Sequence, residues 1–131
     1  MKEITIIEND RLGLVADVLG ILEKAGMEIV SLNIQIVTDK AIITAGLSDA
    51  EKGKGLLEAE GYEVEDINSF VVRLGKGGIG RLISKLRKCG AEILKSREIC
   101  TDAEFVVYSI VVDDPARAAQ TLKGLLLASR S

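Results

Sequence analysis

The chain contains no histidine and no tryptophan. Without imidazole it lacks the side chain that ordinarily titrates near neutrality, so histidine-based acid–base catalysis and Cys/His dyads are excluded. Two cysteines, Cys89 and Cys100, are the only thiols in 131 residues. Two thiols without histidine make neither a disulfide framework nor an ordinary zinc site. Aromatic residues are limited to two Phe and two Tyr, which leaves little with which to stack on nucleobases. No apolar run approaches the roughly 18 residues a membrane helix needs, and the amino end, MKEITII, alternates like a strand without the layout of a signal peptide. The expectation is a cytoplasmic protein without catalysis, cofactor or metal, and without a nucleic-acid or membrane partner.

What is present is a globular composition. Hydrophobic residues make up 47% of the chain and charged ones 28%, enough apolar surface for a packed core. Seventeen basic and 20 acidic residues give a net charge of −3, so no global field favours phosphate.

Periodicity sets the order of elements. Residues 2–8 alternate as a strand, and Leu14, Val15, Val18, Leu19, Leu22 and Ala25 recur at helical spacing before Gly26, a helix stop. A hairpin follows, from about Glu28 to Val37 and through AIITAGL, joined by TDK. Ser48 and Asp49 offer a cap for a helix in AEKGKGLLEAE, and YEVEDI returns as a fourth strand. In the second strand Ile29 falls on the opposite parity from Leu32, Ile34 and Ile36. That pattern predicts a bulge near Val30–Ser31 or apolar residues on both faces.

Shifting the sequence by 64 places Gly13 on Gly77, Val15 on Ile79, Val18 on Leu82, Leu22 on Leu86, Gly26 on Gly90 and Ile29 on Ile93. The second copy is then a strand in SFVVRL, a helix in IGRLISKLRKCG, a hairpin in AEILKSREIC and FVVYSIVV, and a last helix in DPARAAQTLKGLLLA. Asp113 or Asp114 caps that helix, and Pro115 sits where its missing N–H costs nothing. The fold class expected is α+β: a ferredoxin-like βαββαβ sandwich, tandemly repeated, with antiparallel sheets and helices on one face. Its domains are 1–67 and 68–131, the second lacking a clear fourth strand.

A βαββαβ repeat whose first strand runs into Asp10-Arg11-Leu12-Gly13-Leu14, followed by Leu19, Leu22, Ala25-Gly26 and Ile29, resembles the ACT domain, the amino-acid-binding regulatory module of biosynthetic enzymes. Many members have Pro where this chain has Leu12. The resemblance covers copy one and, more loosely, residues 68–128. It implies a stand-alone, non-catalytic regulator of amino-acid metabolism or transport, with a small amino acid as ligand and an enzyme or regulator as a possible partner. It also carries over Glu28, at the start of the second strand, as a candidate ligand residue.

The residues of the opening loop suit that role physically. Gly13 lets the backbone turn tightly and approach a ligand, and the free N–H groups after it can receive a carboxylate. Asp10 can face an α-ammonium. The candidate site is therefore Asn9, Asp10, Arg11, Leu12, Gly13, Leu14 and Glu28, with Lys76, Gly77, Gly78 and Ile79 as its weaker counterpart in copy two, where no carboxylate matches Asp10. A helix end contributes about 0.3–1 kcal/mol, or about 2 when partly buried, whereas a micromolar ligand needs about 8 kcal/mol. Burial by a neighbouring subunit or copy must supply the rest, so a homodimer is expected. The bland alternative is that Asp10 caps the loop, Arg11 is solvated and Gly13 serves the turn alone.

Two rival readings remain at this stage. Gly75–Gly80, GKGGIG, satisfies G-x-G-x-x-G between a strand and a helix, and Glu98 lies at a suitable distance for a ribose contact. A Rossmann half needs further parallel βα units, and the register with copy one explains these glycines more simply as a flexible loop. The other is a regulatory subunit or interaction module that docks a biosynthetic enzyme with no ligand of its own. The clusters EKGKG and RKCG read as solvated helix faces, and Cys89 as a small buried hydrophobe at the Ala25 position.

Overall fold

The computed structural model describes residues 2–127. The chain forms two compact units, one over residues 2–67 and one over Asn68–Leu127. The fold is α+β and ferredoxin-like, with two antiparallel three-stranded sheets and four helices among the described residues.

In the first unit the order is β1 (Glu3–Asn9), α1 (Leu14–Lys24), β2 (Ile29–Val37), β3 (Lys40–Leu47) and α2 (Ala50–Ala59). Strand β3 lies in the middle, hydrogen-bonded antiparallel to both β1 and β2. Alternation in β1 sends Ile4 and Ile6 toward the helices, where they meet Ile43, Ala45 and Leu47 of β3. Leu14, Val18 and Leu22 recur every fourth residue along α1 and close this core from the other side with Leu57 of α2. Each such fully buried side chain contributes about 1.5–3 kcal/mol.

Helix α2 approaches closely because Gly53 is buried without a side chain. A Cβ there would run into Cδ1 of Leu47 and lie 3.5 Å from Leu22. Its neighbour Gly55 faces open space.

The second unit repeats the order: β4 (Ser69–Gly75), α3 (Ile79–Lys88), β5 (Ile93–Thr101), β6 (Phe105–Val112) and α4 (Pro115–Leu122), with β6 between β4 and β5. Phe70, Val72, Leu74, Leu82, Leu86, Ile110 and Leu122 form its core.

Local devices recur between the units. The register slips between Ile29 and Ser31 in β2, the bulge that the parity change predicts, and again between Ile93 and Lys95 in β5. Asp49 and Asp114 cap α2 and α4 by accepting from the N–H of Lys52 and Arg117, each at 3.1 Å. The residue before each cap clasps the start of the hairpin. Ser48 Oγ accepts from the Glu28 N–H at 3.2 Å, and Asp113 Oδ1 from the Glu92 N–H at 2.8 Å.

Three expectations are altered. The fourth strand of unit one is a single bridge, Val64 to Ile6, flanked by hydrogen bonds from Ile7 to Glu63 and from Glu65 to Thr5. Unit two has its counterpart, with Leu126 bridging Val72 and Leu125 and Leu127 bonded to Arg73 and Val71. The run TLKGLLLA reads as one helix, but α4 stops at Leu122, before Gly124, and the three leucines turn back onto β4. Exposed apolar surface lies on edge strand β2, at Val30, Leu32, Ile34 and Ile36.

Candidate functional site

The loop from β1 to α1 is held at both ends and exposed in between. Asn9 pairs with Lys40 in the ladder, and its Oδ1 accepts from Lys40 Nζ at 2.6 Å. The Asp10 N–H donates to Asp39 O at 2.9 Å, while the Asp10 carboxylate has no partner among the described residues. Leu12 is fully exposed at the tip, and Leu14 is anchored in the core at 1% exposure. Between them Gly13 takes φ 83°, a left-handed conformation that costs other residues about 1–2 kcal/mol.

Gly13 occupies the cap position of α1 and has no side chain with which to cap it. The Asp17 N–H closes onto Gly13 O at 3.0 Å and the Leu14 N–H onto Arg11 O at 3.3 Å. The N–H groups of Val15 and Ala16 have no acceptor among the described residues. An uncapped, exposed helix start beside an unpaired carboxylate is complementary to a zwitterion: the two amides and the positive end of the helix dipole suit its carboxylate, and Asp10 suits its ammonium.

Arg11 is not merely solvated. Its Nη1 lies 2.9 Å from Asp17 Oδ2, and its Nη2 donates to the Tyr62 hydroxyl at 3.3 Å. The hydrogen bond to Asp17 holds the guanidinium proton more tightly than usual, against a smaller opposing effect of desolvation. Arg11 thereby ties the loop to the first turn of α1 and to the segment after α2. Nearby, Glu8 Oε2 accepts from the Glu63 N–H at 2.8 Å. Sequence reasoning missed Asp17 and Tyr62. The available signals were an acid in the first helical turn and the scarcity of tyrosine.

A groove of about 630 Å³ runs between α1 and α2, lined by Gly20, Ile21, Leu56 and Ala59, with Asp17, Lys24 and Glu60 among its charged residues. It shares Asp17 with the loop.

Glu28 does not join this arrangement within its own unit. It precedes Ile29, which pairs with Leu47, whereas the loop follows Asn9, which pairs with Lys40. Seven positions of β3 separate the two ends, roughly 23 Å at 3.3 Å per residue. The backbone of Glu28 is held in the clasp with Ser48.

In unit two the loop keeps its glycine, Gly77, at φ 78°, but is one residue shorter, running from Lys76 to Gly78 before Ile79 opens α3. The Gly78 N–H donates to Gly75 O at 3.0 Å. Lys76 is exposed and no acid stands in the place of Asp10. The nucleotide reading of Gly75–Gly80 loses its structural basis, because β4 and β5 are separated by β6 and every pairing is antiparallel. A dinucleotide fingerprint belongs to a parallel βαβ unit.

Among the described residues no cluster of His, Cys, Asp and Glu is placed to hold a metal ion, and no helix is long and apolar enough to cross a membrane.

No protein-family model matches the sequence, and no curated protein does. Solved structures are similar in fold. Protein BT0572 from Bacteroides thetaiotaomicron aligns over 95% of this chain and 89% of its own, at 17% identity and a TM-score of 0.50. The ligand-free regulatory subunit of aspartate kinase from Thermus thermophilus aligns over 93% and 90%, at 17% identity and 0.44. The corresponding subunit from Thermus flavus aligns over 95% and 92%, at 14% identity and 0.43.

Proposed function

We propose that this chain is a non-catalytic, cytoplasmic regulator built from two ACT-like domains, 1–67 and 68–131, whose first domain binds a small amino acid at the loop Asp10–Gly13. The observation that carries this reading is the pairing of an unpartnered carboxylate, Asp10, with an uncapped helix start at Gly13. The ammonium lies against Asp10, the carboxylate against the Val15 and Ala16 amides, and the ligand side chain beside Leu12. All of loop 10–13 is exposed. A second copy of the chain, covering the loop and contributing its Glu28 carboxylate, supplies the burial that an exposed loop lacks. Occupancy then changes how the regulator meets its partner.

The test is calorimetry and thermal shift on the full chain against the amino acids. A ligand at about 100 times its dissociation constant raises stability by about 2.7 kcal/mol. If no amino acid at millimolar concentration shifts the melting temperature or gives heat, the reading fails.

A second reading is favoured by edge strand β2, where Val30, Leu32, Ile34 and Ile36 are each more than 40% exposed. Such an apolar edge suits a regulatory module that docks an enzyme. Under this reading enzyme binding occurs with no amino acid present and is lost in Ile34→Lys.

A further inference from the structure

On edge strand β2 apolar side chains and unpaired backbone groups fall on the same residues. Leu32, Ile34 and Ile36 lie opposite Ala45, Ile43 and Ala41 of β3, so they share the helix-bearing face of the sheet with the core. Yet α1 and α2 leave them 41%, 42% and 53% exposed. The phase of the backbone follows from β1. The Ile7 N–H and the Thr5 carbonyl bond to Glu63 and Glu65, away from β3, so Ile4, Ile6 and Glu8 are the residues of β1 that bond Ala45, Ile43 and Ala41. By the same alternation Thr44, Ile42 and Lys40 bond Asn33, Gln35 and Val37. The N–H and C=O groups of Leu32, Ile34 and Ile36 therefore point out of the sheet edge, with no partner among the described residues.

Register picks out the occupant. Strand β2 runs without a slip from Ser31 to Val37, and the midpoint of that run is Ile34. An antiparallel second β2, related by a two-fold axis at Ile34, sets Ile34 against Ile34, Leu32 against Ile36 and Asn33 against Gln35. The outward N–H and C=O groups then pair, and the exposed apolar side chains of both copies cover one another on the helix-bearing face. On the other face Asn33 Oδ1 and Gln35 Oε1, which have no hydrogen-bond partner among the described residues, meet each other's side-chain amides. Strand β5 is no substitute. It slips at both Ile93–Lys95 and Glu98–Cys100, and between the slips its helix-bearing face carries Ser96 and Glu98, opposite Ile110 and Tyr108. Set against β2, it would bury a carboxylate among leucine and isoleucine.

We infer that this protein forms a two-fold homodimer by pairing β2 of unit one with β2 of a second copy, centred on Ile34, with β5 of unit two left out. One self-complementary patch within unit one suffices for closed two-fold symmetry. The same register brings Glu28 round to the loop, a step that alone rests on the amino-acid reading above. Asn9 is level with Lys40 and Val37 across the sheet, and Val37 faces the partner's Ser31. The partner's Glu28 lies three residues before that serine, one of them taken up by the bulge. It therefore stands about two residues, or roughly 7 Å, past the end of the sheet from which the loop Asp10–Gly13 leaves.

The experiment is analytical ultracentrifugation of the full chain at micromolar concentration, with cysteine cross-linking to read the register. A particle of twice 14.0 kDa is expected. Ile34→Lys, which sets two cations together at the axis, should give a monomer with unchanged circular dichroism, and Leu32→Ser with Ile36→Ser serves if that variant fails to fold. Directly paired residues stand about 5.5 Å apart between Cα atoms, within disulfide reach. Ile34→Cys should therefore cross-link to itself under a mild oxidant, with peptide mapping placing the bond between the two copies of position 34. Mixed with Ser96→Cys, it should form no bond between positions 34 and 96. A 14.0 kDa particle for the unaltered chain, a dimer that survives Ile34→Lys, or a bond from position 34 to position 96 would each overturn the assignment. So would a monomer whose β2 docks an enzyme instead. Amino-acid calorimetry on the same samples separates the two readings. A monomer that binds an amino acid sinks the pairing and leaves the loop standing, whereas a dimer that binds none does the reverse.

Discussion

Arg11 and Asp17 face each other at 2.9 Å across the start of α1, and the same guanidinium reaches the Tyr62 hydroxyl. Both partners are about half exposed, so the pair adds little to global stability. Its effect is to order a loop that otherwise carries a free carboxylate and an exposed leucine. Asp17→Asn is expected to leave the melting temperature unchanged and to weaken amino-acid binding by a factor of about 2 to 10, the scale of ordering one long side chain. Equal affinity by calorimetry would show that the loop is set without this contact.

Removing the unpaired carboxylate should act on binding alone. Asp10→Ala is expected to abolish the amino-acid thermal shift with the fold intact, since only the Asp10 backbone is used in the structure. Gly77→Ala, at the matching turn of unit two, should leave binding near wild type but cost about 1–2 kcal/mol of stability through its left-handed backbone. If Gly77→Ala removed binding and Asp10→Ala did not, the ligand would belong to unit two.

Two glycines in one helix should respond with opposite signs. Gly55→Ala meets nothing within 4 Å and is expected to stabilise by about 0.5–1 kcal/mol through helix propensity. Gly53→Ala gains the same propensity but drives a methyl into Leu47, and overpacking of this kind costs about 1–3 kcal/mol. Urea denaturation of both variants reads the difference directly, and a stabilised Gly53→Ala would mean that Leu47 moves aside without penalty.

The caps of α2 and α4 should be of similar worth. Asp49→Ala and Asp114→Ala each remove one side-chain acceptor at 3.1 Å, and each is expected to cost about 0.5–2 kcal/mol. A change in either below about 0.3 kcal/mol would indicate that water replaces the cap without loss.

Much of the architecture was legible because it is written locally. The β2 bulge showed in the parity of Ile29 against Leu32, and the caps showed as Ser48-Asp49 and Asp113-Asp114-Pro115. Where local pattern and tertiary pairing diverge, reading failed. Leu125–Leu127 continue the apolar rhythm of α4, yet they satisfy the backbone of β4 instead. The loop Asp10–Gly13 was visible as a motif, but the tie from Arg11 to Tyr62 spans 51 residues and has no periodicity to betray it. Glu28 illustrates the reverse: a residue brought forward by resemblance whose place in the sheet is at the far end from the loop.

The bulges at Ile29–Ser31 and Ile93–Lys95 stand at the same place in the two strands that end their sheets. A slipped register twists the strand and leaves a residue without a ladder partner, so an incoming strand can match only the part beyond the slip. Endless stacking of copies into fibrils requires flat, uninterrupted edges. Strand β5 slips a second time between Glu98 and Cys100, whereas β2 keeps a regular register from Ser31 to Val37, so of these two strands it is β2, with Leu32, Ile34 and Ile36 in view, that offers an incoming strand a continuous run to pair with.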